Sequence, residues 1–283
     1  MLKLYRFCYC NRRIKYYNKR KEALLLIGDG KMSKTFLNHE KPLLTVMLQC
    51  ETPETAIGRI RNANCLGADA YGLQIECLKG EYHNADTYKR IFAEMQDKPC
   101  YATYYRVRSN DGKSDDELAQ ELVEIAKCGA TLVDVMGDMF AIHPEELTND
   151  EGAVNKQMEL IDRLHGEGAE VIVSSHVWKF MSAERVLEMA CEQKRRGADI
   201  IKIVAGADTM EQQMENLRIT DLLKRELGAP FLFLSGGQCS MHRRLGIKLG
   251  CCMALCVYEH DALSTPVQPL LSTMKTIRDQ IDF

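Results

Sequence analysis

The fold of this chain is decided in the stretch DIIKIVA, residues 199–205. The stretch is short, apolar and rich in β-branched residues, which predicts a buried strand. A buried strand rarely carries an ammonium, because an unpaired charge is costly to remove from water. Lys202 therefore suggests a neutral amine that attacks a carbonyl and forms a Schiff base. From these residues alone, a strand-end lysine whose ammonium reaches solvent explains the stretch equally well.

Similar apolar stretches alternate with helical patterns on both sides of this strand. Eight strands are predicted, at residues 43–48, 68–75, 100–107, 131–136, 170–174, 199–205, 231–234 and 251–257. Each precedes a predicted helix, at residues 53–66, 85–96, 114–127, 154–166, 182–196, 210–226, 241–248 and 269–280. The count predicts an α/β fold, a closed (β/α)8 TIM barrel of the class I aldolase type. A doubly wound open sheet is the competitor, but no GxGxxG follows the first strand.

Chain length limits the number of domains, and charge limits the classes of binding partner. The chain has 283 residues, and 46% of them are hydrophobic, enough for one large domain. Residues 1–31 hold 9 Lys and Arg against 2 Asp and Glu, so the remainder carries a net charge of −10. An acidic body argues against a nucleic-acid partner, and no apolar run approaches the ~20 residues of a membrane span. We predict a basic extension at residues 1–31, which is not translated if Met32 is the true start, and a single barrel at residues 32–283.

The twelve cysteines predict reduced thiols and no metal site. None of them forms a CxxC pair, and no Cys/His cluster has the spacing of metal ligands. Many lie in or beside apolar runs, where thiols behave as small hydrophobic groups. This usage is typical of a cytoplasmic protein.

Active sites of such barrels lie at the carboxyl ends of the strands. His176 ends the strand before that of Lys202, so an imidazole is expected beside the amine. It can act as general acid/base on a bound imine. The turn from strand seven into the next helix, SGGQCSMHRR at residues 235–244, is typical of an anion site but equally of a plain tight turn.

These motifs resemble the type I 3-dehydroquinate dehydratases, the Schiff-base dehydratases of the shikimate pathway. The resemblance covers roughly residues 41–282 and is strongest in VIVSSH at 171–176 and GADIIKI at 197–203. The 26-residue separation of His176 and Lys202 is about that of the family. A Ser-x-Pro-x-Gln loop after strand eight is matched by STPVQ at 264–268.

The resemblance implies roles for individual residues. Lys202 would form the imine, and His176 would be the general acid/base. Arg244 would bind the substrate carboxylate, with Arg243 as the alternative if the register shifts by one. Ser264 and Gln268 would lie on a lid over the substrate ring. The family implies a small-molecule carboxylate as substrate, no metal or cofactor, and a homodimer.

The residues that would contact the substrate hydroxyls depart from the family pattern. Gln74 and Glu76 stand where the family has Glu-x-Arg. Arg106 matches the arginine after strand three, but Asn110 replaces the glutamate that follows it. Met136 replaces the second acid of an Asp-x-Glu on strand four. The resemblance thus implies unchanged imine chemistry and names Arg106, Gln74 and Glu76 as substrate-binding residues, of which Arg106 matches the family pattern and Gln74 and Glu76 depart from it.

Three hypotheses for function remain. The first is a lyase that converts 3-dehydroquinate to 3-dehydroshikimate and water. The second is a Schiff-base lyase or aldolase on a related hydroxy-keto acid, since an exchange of charge at position 76 changes specificity. The third is a barrel that binds a metabolite without turnover, against which the retained lysine and histidine argue.

Overall fold

The computed structural model describes residues 34–238 and 240–281. A single compact unit begins at Thr35. The predicted basic extension at residues 1–31 lies outside the described residues, so its nature stays a prediction.

Eight strands alternate with eight α-helices along the described chain. The strands are β1 (Leu43–Leu48), β2 (Ala70–Gln74), β3 (Cys100–Thr103), β4 (Leu132–Met136), β5 (Glu170–His176), β6 (Ile200–Ala205), β7 (Phe231–Ser235) and β8 (Met253–Cys256). The helices are α1 (Pro53–Cys65), α2 (Ala85–Glu94), α3 (Asp115–Lys127), α4 (Glu151–Gly166), α5 (Ala183–Arg195), α6 (Met210–Glu226), α7 (Met241–Leu249) and α8 (Leu271–Gln280). Three short 3₁₀ helices lie at Ile75–Cys77, Gly80–Tyr82 and Arg108–Asn110.

The strands form one parallel sheet in the order β7-β6-β5-β4-β3-β2-β1-β8. Between its two end strands, the amide of Cys252 donates to the carbonyl of Phe231 at 2.9 Å, just before β8 and at the start of β7. The sheet is therefore a nearly closed barrel with the helices around it. The prediction of a (β/α)8 TIM barrel is confirmed, and the open doubly wound sheet is wrong.

Two predicted helix starts, after Thr52 and at Ser114, are confirmed by their caps, whereas the helix predicted to begin at residue 154 begins at Glu151. The Thr52 hydroxyl accepts from the amide of Thr55 at 3.3 Å, ahead of Pro53 in the first turn of α1. At α3, Ser114 and Glu117 bond each other's backbone amides, which is a capping box. Each cap satisfies amides that the first helical turn leaves without a partner.

One predicted boundary is wrong in a way that affects the site. Strand β3 ends at Thr103, four residues before the predicted end at Val107. Asn110 Nδ2 donates to the carbonyl of Tyr105 at 3.0 Å, which replaces the ladder bond that a continuing strand would make. The chain from Tyr104 onward therefore leaves the sheet and follows its own path over the barrel end.

The amino end of the barrel is closed by the segment before β1. Phe36 is fully buried there, and its amide donates to Oε2 of Glu170, the first residue of β5, at 2.8 Å. The opposite end, where the strands stop, carries the buried polar side chains.

Candidate active site

The side chain of Lys202 lies within the barrel and is only 4% exposed. Its Nζ donates to the hydroxyl of Tyr105 at 2.7 Å, to that of Tyr101 at 2.9 Å and to Oδ2 of Asp134 at 3.1 Å. Three partners satisfy the three N–H bonds of an ammonium. The alternative of a solvated strand-end lysine is therefore wrong.

Asp134 on β4 supplies the negative charge of this cluster. Its Oδ2 also accepts from the hydroxyls of Tyr105, at 2.5 Å, and of Tyr101, and its Oδ1 accepts from Ser174 Oγ at 2.5 Å. Burial by itself would raise the pKa of Asp134, but the charge of Lys202 and these hydroxyls bring it below its ordinary value. Burial and the carboxylate raise the pKa of both tyrosines well above the usual range. The cluster is thus a buried ion pair with two protonated phenols.

His176 ends β5 and is half-buried at the mouth of the barrel. Its Nδ1 lies 2.8 Å from Oε2 of Glu146, and its amide donates to the same oxygen at 2.8 Å. The edge of the Tyr105 ring meets the imidazole at 82°, with the centroids 5.5 Å apart. Trp178 stacks on it with the centroids 5.9 Å apart. With Nδ1 on the carboxylate, Nε2 is the nitrogen left for a substrate.

Glu146 is held in place by the loop that follows β4. Its backbone lies in the left-handed region, with φ at 43°, and its carbonyl accepts from Ser175 Oγ at 2.7 Å. The loop also packs on Gly137, where a Cβ would come within 2.4 Å of the Glu146 carbonyl oxygen. Only glycine fits this close approach. The loop therefore positions the carboxylate that orients His176.

Gln74 and Glu76 belong to a buried polar chain above β1–β3. Gln49 Nε2 donates to Oε1 of Gln74 and, at 2.8 Å, to Oγ1 of Thr265. Gln74 Nε2 donates to Oε1 of Glu76 at 3.0 Å, and the Thr103 hydroxyl lies 3.0 Å from both carboxyl oxygens. Burial raises the pKa of Glu76 despite these hydrogen bonds. The carboxyl group at position 76 is therefore a weaker acid than an exposed glutamate.

The guanidinium of Arg106 is occupied by two acids. Its Nε and Nη2 form a fork with the carboxylate of Asp115 at 2.6 and 2.7 Å, and Nη1 donates to Oδ1 of Asp138 at 2.7 Å. Burial would lower the pKa of Arg106, but the two carboxylates raise it. These bonds tie the loop after β3 to α3 and to the loop after β4.

The two arginines after β7 have different environments. Arg243 is 8% exposed, and its Nε donates to the carbonyl of Ser235 at 2.6 Å. Burial lowers its pKa to about 10, and among residues 34–238 and 240–281 no carboxylate pairs with it. Arg244 is half-buried, and its Nη1 donates to the carbonyl of Ser240 at 2.8 Å. The buried guanidinium near the strand end is thus Arg243.

The STPVQ loop covers part of the barrel mouth. Ser264 Oγ donates to Oδ1 of Asp261 at 2.6 Å, and Asp261 is ion-paired with Arg59. The amide of Thr265 donates to Oε1 of Gln49 at 3.0 Å, which joins the loop to the polar chain described above. Gln268 is 6% exposed, and its Oε1 is buried with no hydrogen-bond partner among the described residues.

The described part of the chain contains no group of three or more His, Cys, Asp or Glu side chains that could hold a metal ion. No helix within residues 34–238 and 240–281 is long and apolar enough to cross a membrane.

The comparisons with known proteins agree with this geometry. The family model for type I 3-dehydroquinase matches residues 44–282. The chain belongs to the type I 3-dehydroquinase family. Its predicted fold, family and activity as a dehydratase of the lyase class are thereby confirmed. A search of curated proteins finds no match.

Solved structures of the same family share the barrel at low identity. The type I 3-dehydroquinate dehydratase of Clostridium difficile, solved with covalently modified comenic acid, matches at 16% identity with a TM-score of 0.71, covering 85% of this chain and 92% of its own. The enzyme of Geobacillus kaustophilus matches at 17% identity and 0.71, covering 86% and 93%. The 3-dehydroquinate dehydratase of Enterococcus faecalis matches at 18% identity with a TM-score of 0.68, covering 87% of this chain and 99% of its own. A protein with a different named activity, a deoxyribose phosphate aldolase from Aeropyrum pernix, matches at 14% identity with a TM-score of 0.53, covering 84% of this chain and 89% of its own.

The polar groups around Lys202 and His176 include side chains for which the sequence predicted no role. They are Asp134, Tyr101, Tyr105, Glu146 and Gln49. Tyr101 and Tyr105 both lie on the predicted strand at residues 100–107 and could have been found by their alternation with Thr103. Glu146 and Gln49 lie beyond the predicted strands, where no period applies. The roles predicted for individual site residues stay predictions.

Proposed function

We propose that this chain dehydrates 3-dehydroquinate to 3-dehydroshikimate through an imine on Lys202. The observation that carries the proposal is the burial of a lysine amine inside a type I 3-dehydroquinase barrel, with a hydrogen-bonded carboxylate 3.1 Å away. Asp134 can balance either the ammonium or the iminium that replaces it, so the charge of the site is unchanged by imine formation.

His176 is proposed as the general acid/base. If its Nδ1–H donates to Glu146, Nε2 carries the lone pair and can take a proton from the carbon next to the imine. The electron pair of that C–H bond then moves into the iminium and forms an enamine. When the enamine collapses, the β-hydroxyl leaves as water with the proton held by His176. Hydrolysis of the imine releases the product and the amine.

Arg243, rather than Arg244, is proposed to bind the substrate carboxylate. Its guanidinium is buried and has no acidic partner within residues 34–238 and 240–281, which favours pairing with an anion. Its anchor, the carbonyl of Ser235, lies at the carboxyl end of β7, the strand beside that of Lys202. Arg244 lies one position along the helix and is fixed to the carbonyl of Ser240 instead.

The remaining predicted residues are proposed to enclose the ring. Gln268 presents a buried acceptor that has no hydrogen-bond partner in the part of the chain that the structure describes, and such an acceptor suits a substrate hydroxyl. Ser264 shapes the same loop through Asp261. Gln74 and Glu76 form the polar wall opposite, and Glu76 in its neutral form can donate as well as accept. Arg106 is proposed as a structural residue, because its guanidinium already pairs with the carboxylates of Asp115 and Asp138.

We also propose a cytoplasmic homodimer. All nine cysteines within the described residues are free thiols, which is typical of a reducing compartment. Light scattering of the purified chain at several concentrations tests the dimer, and a mass of about one chain throughout would refute it.

Borohydride trapping tests the function. The protein is incubated with 3-dehydroquinate, reduced and analysed by mass spectrometry, with Lys202→Met as the control. We expect an adduct on Lys202 and a rise in absorbance from 3-dehydroshikimate, both absent in the control. Absence of both from the wild-type protein would refute the proposal. An adduct without dehydration would instead favour a related hydroxy-keto acid as substrate.

A further inference from the structure

Tyr105 is the side chain that contacts both halves of the proposed machinery. Its hydroxyl accepts from Lys202 Nζ at 2.7 Å and donates to Asp134 Oδ2 at 2.5 Å. Its ring edge meets the imidazole of His176. A phenol that accepts from the amine and carries a proton of its own can receive one proton while giving away another.

Imine formation requires such a group. An ammonium and a ketone become an iminium and water, so two protons must move from nitrogen to the ketone oxygen while the net charge stays at +1. Within residues 34–238 and 240–281, the side chain of His176 has Glu146 as its hydrogen-bond partner. The hydrogen-bond partners of Nζ are the two phenols and Asp134, which its surroundings keep ionised.

We propose that Tyr105 is a catalytic residue that carries both protons from Lys202 Nζ to the ketone oxygen; this inference rests on the proposed function. In the first transfer, Nζ gives a proton to the phenol oxygen as the phenolic proton goes to the ketone oxygen. The freed nitrogen pair then bonds to the carbonyl carbon and gives a carbinolamine. In the second transfer, the nitrogen gives another proton to the phenol oxygen while the phenolic proton goes to the carbinolamine hydroxyl. The C–O bond breaks, the nitrogen pair forms C=N, and water leaves.

Both the tyrosine and the carboxylate are restored at the end of this sequence. Tyr105 regains a proton at each transfer. Asp134 remains ionised and faces first the ammonium and then the iminium, so no proton is taken from solvent. His176 is free for the later proton transfer at carbon. Imine formation and dehydration therefore use different proton carriers.

The position of the two phenols selects Tyr105 over Tyr101. Tyr101 lies within β3 and is fully buried. Tyr105 lies beyond the end of the strand and is partly exposed at the barrel mouth. A ketone that enters from the mouth reaches the hydroxyl of Tyr105 first. Tyr101 contacts the same amine and the same carboxylate from deeper in the barrel, so its replacement shows whether loss of either phenol has the same effect.

Rapid-quench borohydride trapping of Tyr105→Phe and Tyr101→Phe with 3-dehydroquinate tests the inference. We expect the rate of adduct formation to fall about 10²-fold in Tyr105→Phe, the scale of one acid/base group, and to change much less in Tyr101→Phe. Equal rates in Tyr105→Phe and wild type, or equal losses in both variants, would overturn it. If the wild-type protein forms no adduct on Lys202, the proposed function fails instead.

A second test uses fluorotyrosine, which keeps the phenol hydroxyl and its hydrogen bonds and so preserves the fold. Fluorotyrosine at position 105 lowers the pKa of the phenol with little change in shape, so the trapping rate should shift with the number of fluorines. The same replacement at Tyr88, a buried tyrosine whose hydroxyl donates to Oε1 of Glu121 at 2.7 Å and belongs to no part of the cluster, should leave the rate within about twofold. A rate that is insensitive to fluorination at position 105 contradicts the proton transfer even if Tyr105→Phe is unstable.

Discussion

Replacement of Asp134 by Asn removes the counter-charge of Lys202 without a change of volume. Asp134 Oδ2 and Lys202 Nζ lie 3.1 Å apart, and both side chains are at most 5% exposed. Removal of one member of a buried pair leaves the other charge uncompensated and costs about 3–5 kcal/mol. We therefore expect the free energy of unfolding of Asp134→Asn at pH 7 to fall by that amount.

The cost is measured by urea unfolding followed by far-ultraviolet circular dichroism, with thermal melting as a second readout. A loss of 3–5 kcal/mol corresponds to a fall in Tm of roughly 6–20 °C for a domain of this size. The double variant Lys202→Met/Asp134→Asn is the control. It lacks both charges, so it should lose less stability than the sum of the two single variants.

The pH dependence gives an independent check of the sign. The pKa of Asp134 is lower in the folded chain than its ordinary value of about 3.9, so its contribution to stability is complete above about pH 4. That contribution is lost as the pH falls through the folded-state pKa. The deficit of Asp134→Asn relative to wild type should therefore shrink in acid. A deficit below about 1 kcal/mol at pH 7, or one that grows in acid, would refute the reasoning.

Three further predictions concern the surrounding residues. Arg243→Ala should raise the KM for 3-dehydroquinate roughly 30-fold or more in steady-state kinetics, because a buried charge pair with the substrate carboxylate contributes at least ~2 kcal/mol. Gly137→Ala should lose about 1–3 kcal/mol in urea unfolding and also lower kcat, because its Cβ would displace Glu146. Trp178, the only tryptophan in the chain, stacks on the imidazole of His176, so its fluorescence should change saturably as substrate is added.

Matched variants separate these effects from general damage. Arg244→Ala should leave the KM within about threefold, since its guanidinium bonds only the carbonyl of Ser240 within the described chain; a larger effect than that of Arg243→Ala would restore the original assignment. Gly58→Ala meets nothing within 4 Å on an exposed face of α1 and should be neutral or slightly stabilising. Emission that is constant at saturating substrate would place Trp178 outside the binding site.

Local signals in the sequence were sufficient to predict the strands and helices of the barrel. Strand stretches such as residues 199–205 are apolar throughout, and the caps at Thr52 and Ser114 are satisfied within four residues of the chain. Such features depend on near neighbours, so they can be read without knowledge of the rest of the fold. The same holds for the lysine and histidine, which lie on adjacent predicted strands.

Loop geometry could not be read in this way. Strand three is predicted to run to Val107 but ends at Thr103, and the guanidinium of Arg106 beyond it bonds two acids. The carboxylates of Asp115 and Asp138 reach Arg106 from a helix and from another loop, so the sequence around Arg106 does not reveal them. The choice between Arg243 and Arg244 likewise depends on which face of a short helix is buried.

The sequence by itself determined that a lysine lies in a buried strand of an eight-stranded barrel, because a strand's burial follows from its own composition. Only the tertiary structure decided which groups surround that lysine. Closure of the sheet brings side chains from β3 and β4 across to β6, and the loop after β4 brings Glu146 to His176. These contacts join residues 30 to 101 positions apart, and their distances depend on the strand order and loop paths of the whole chain.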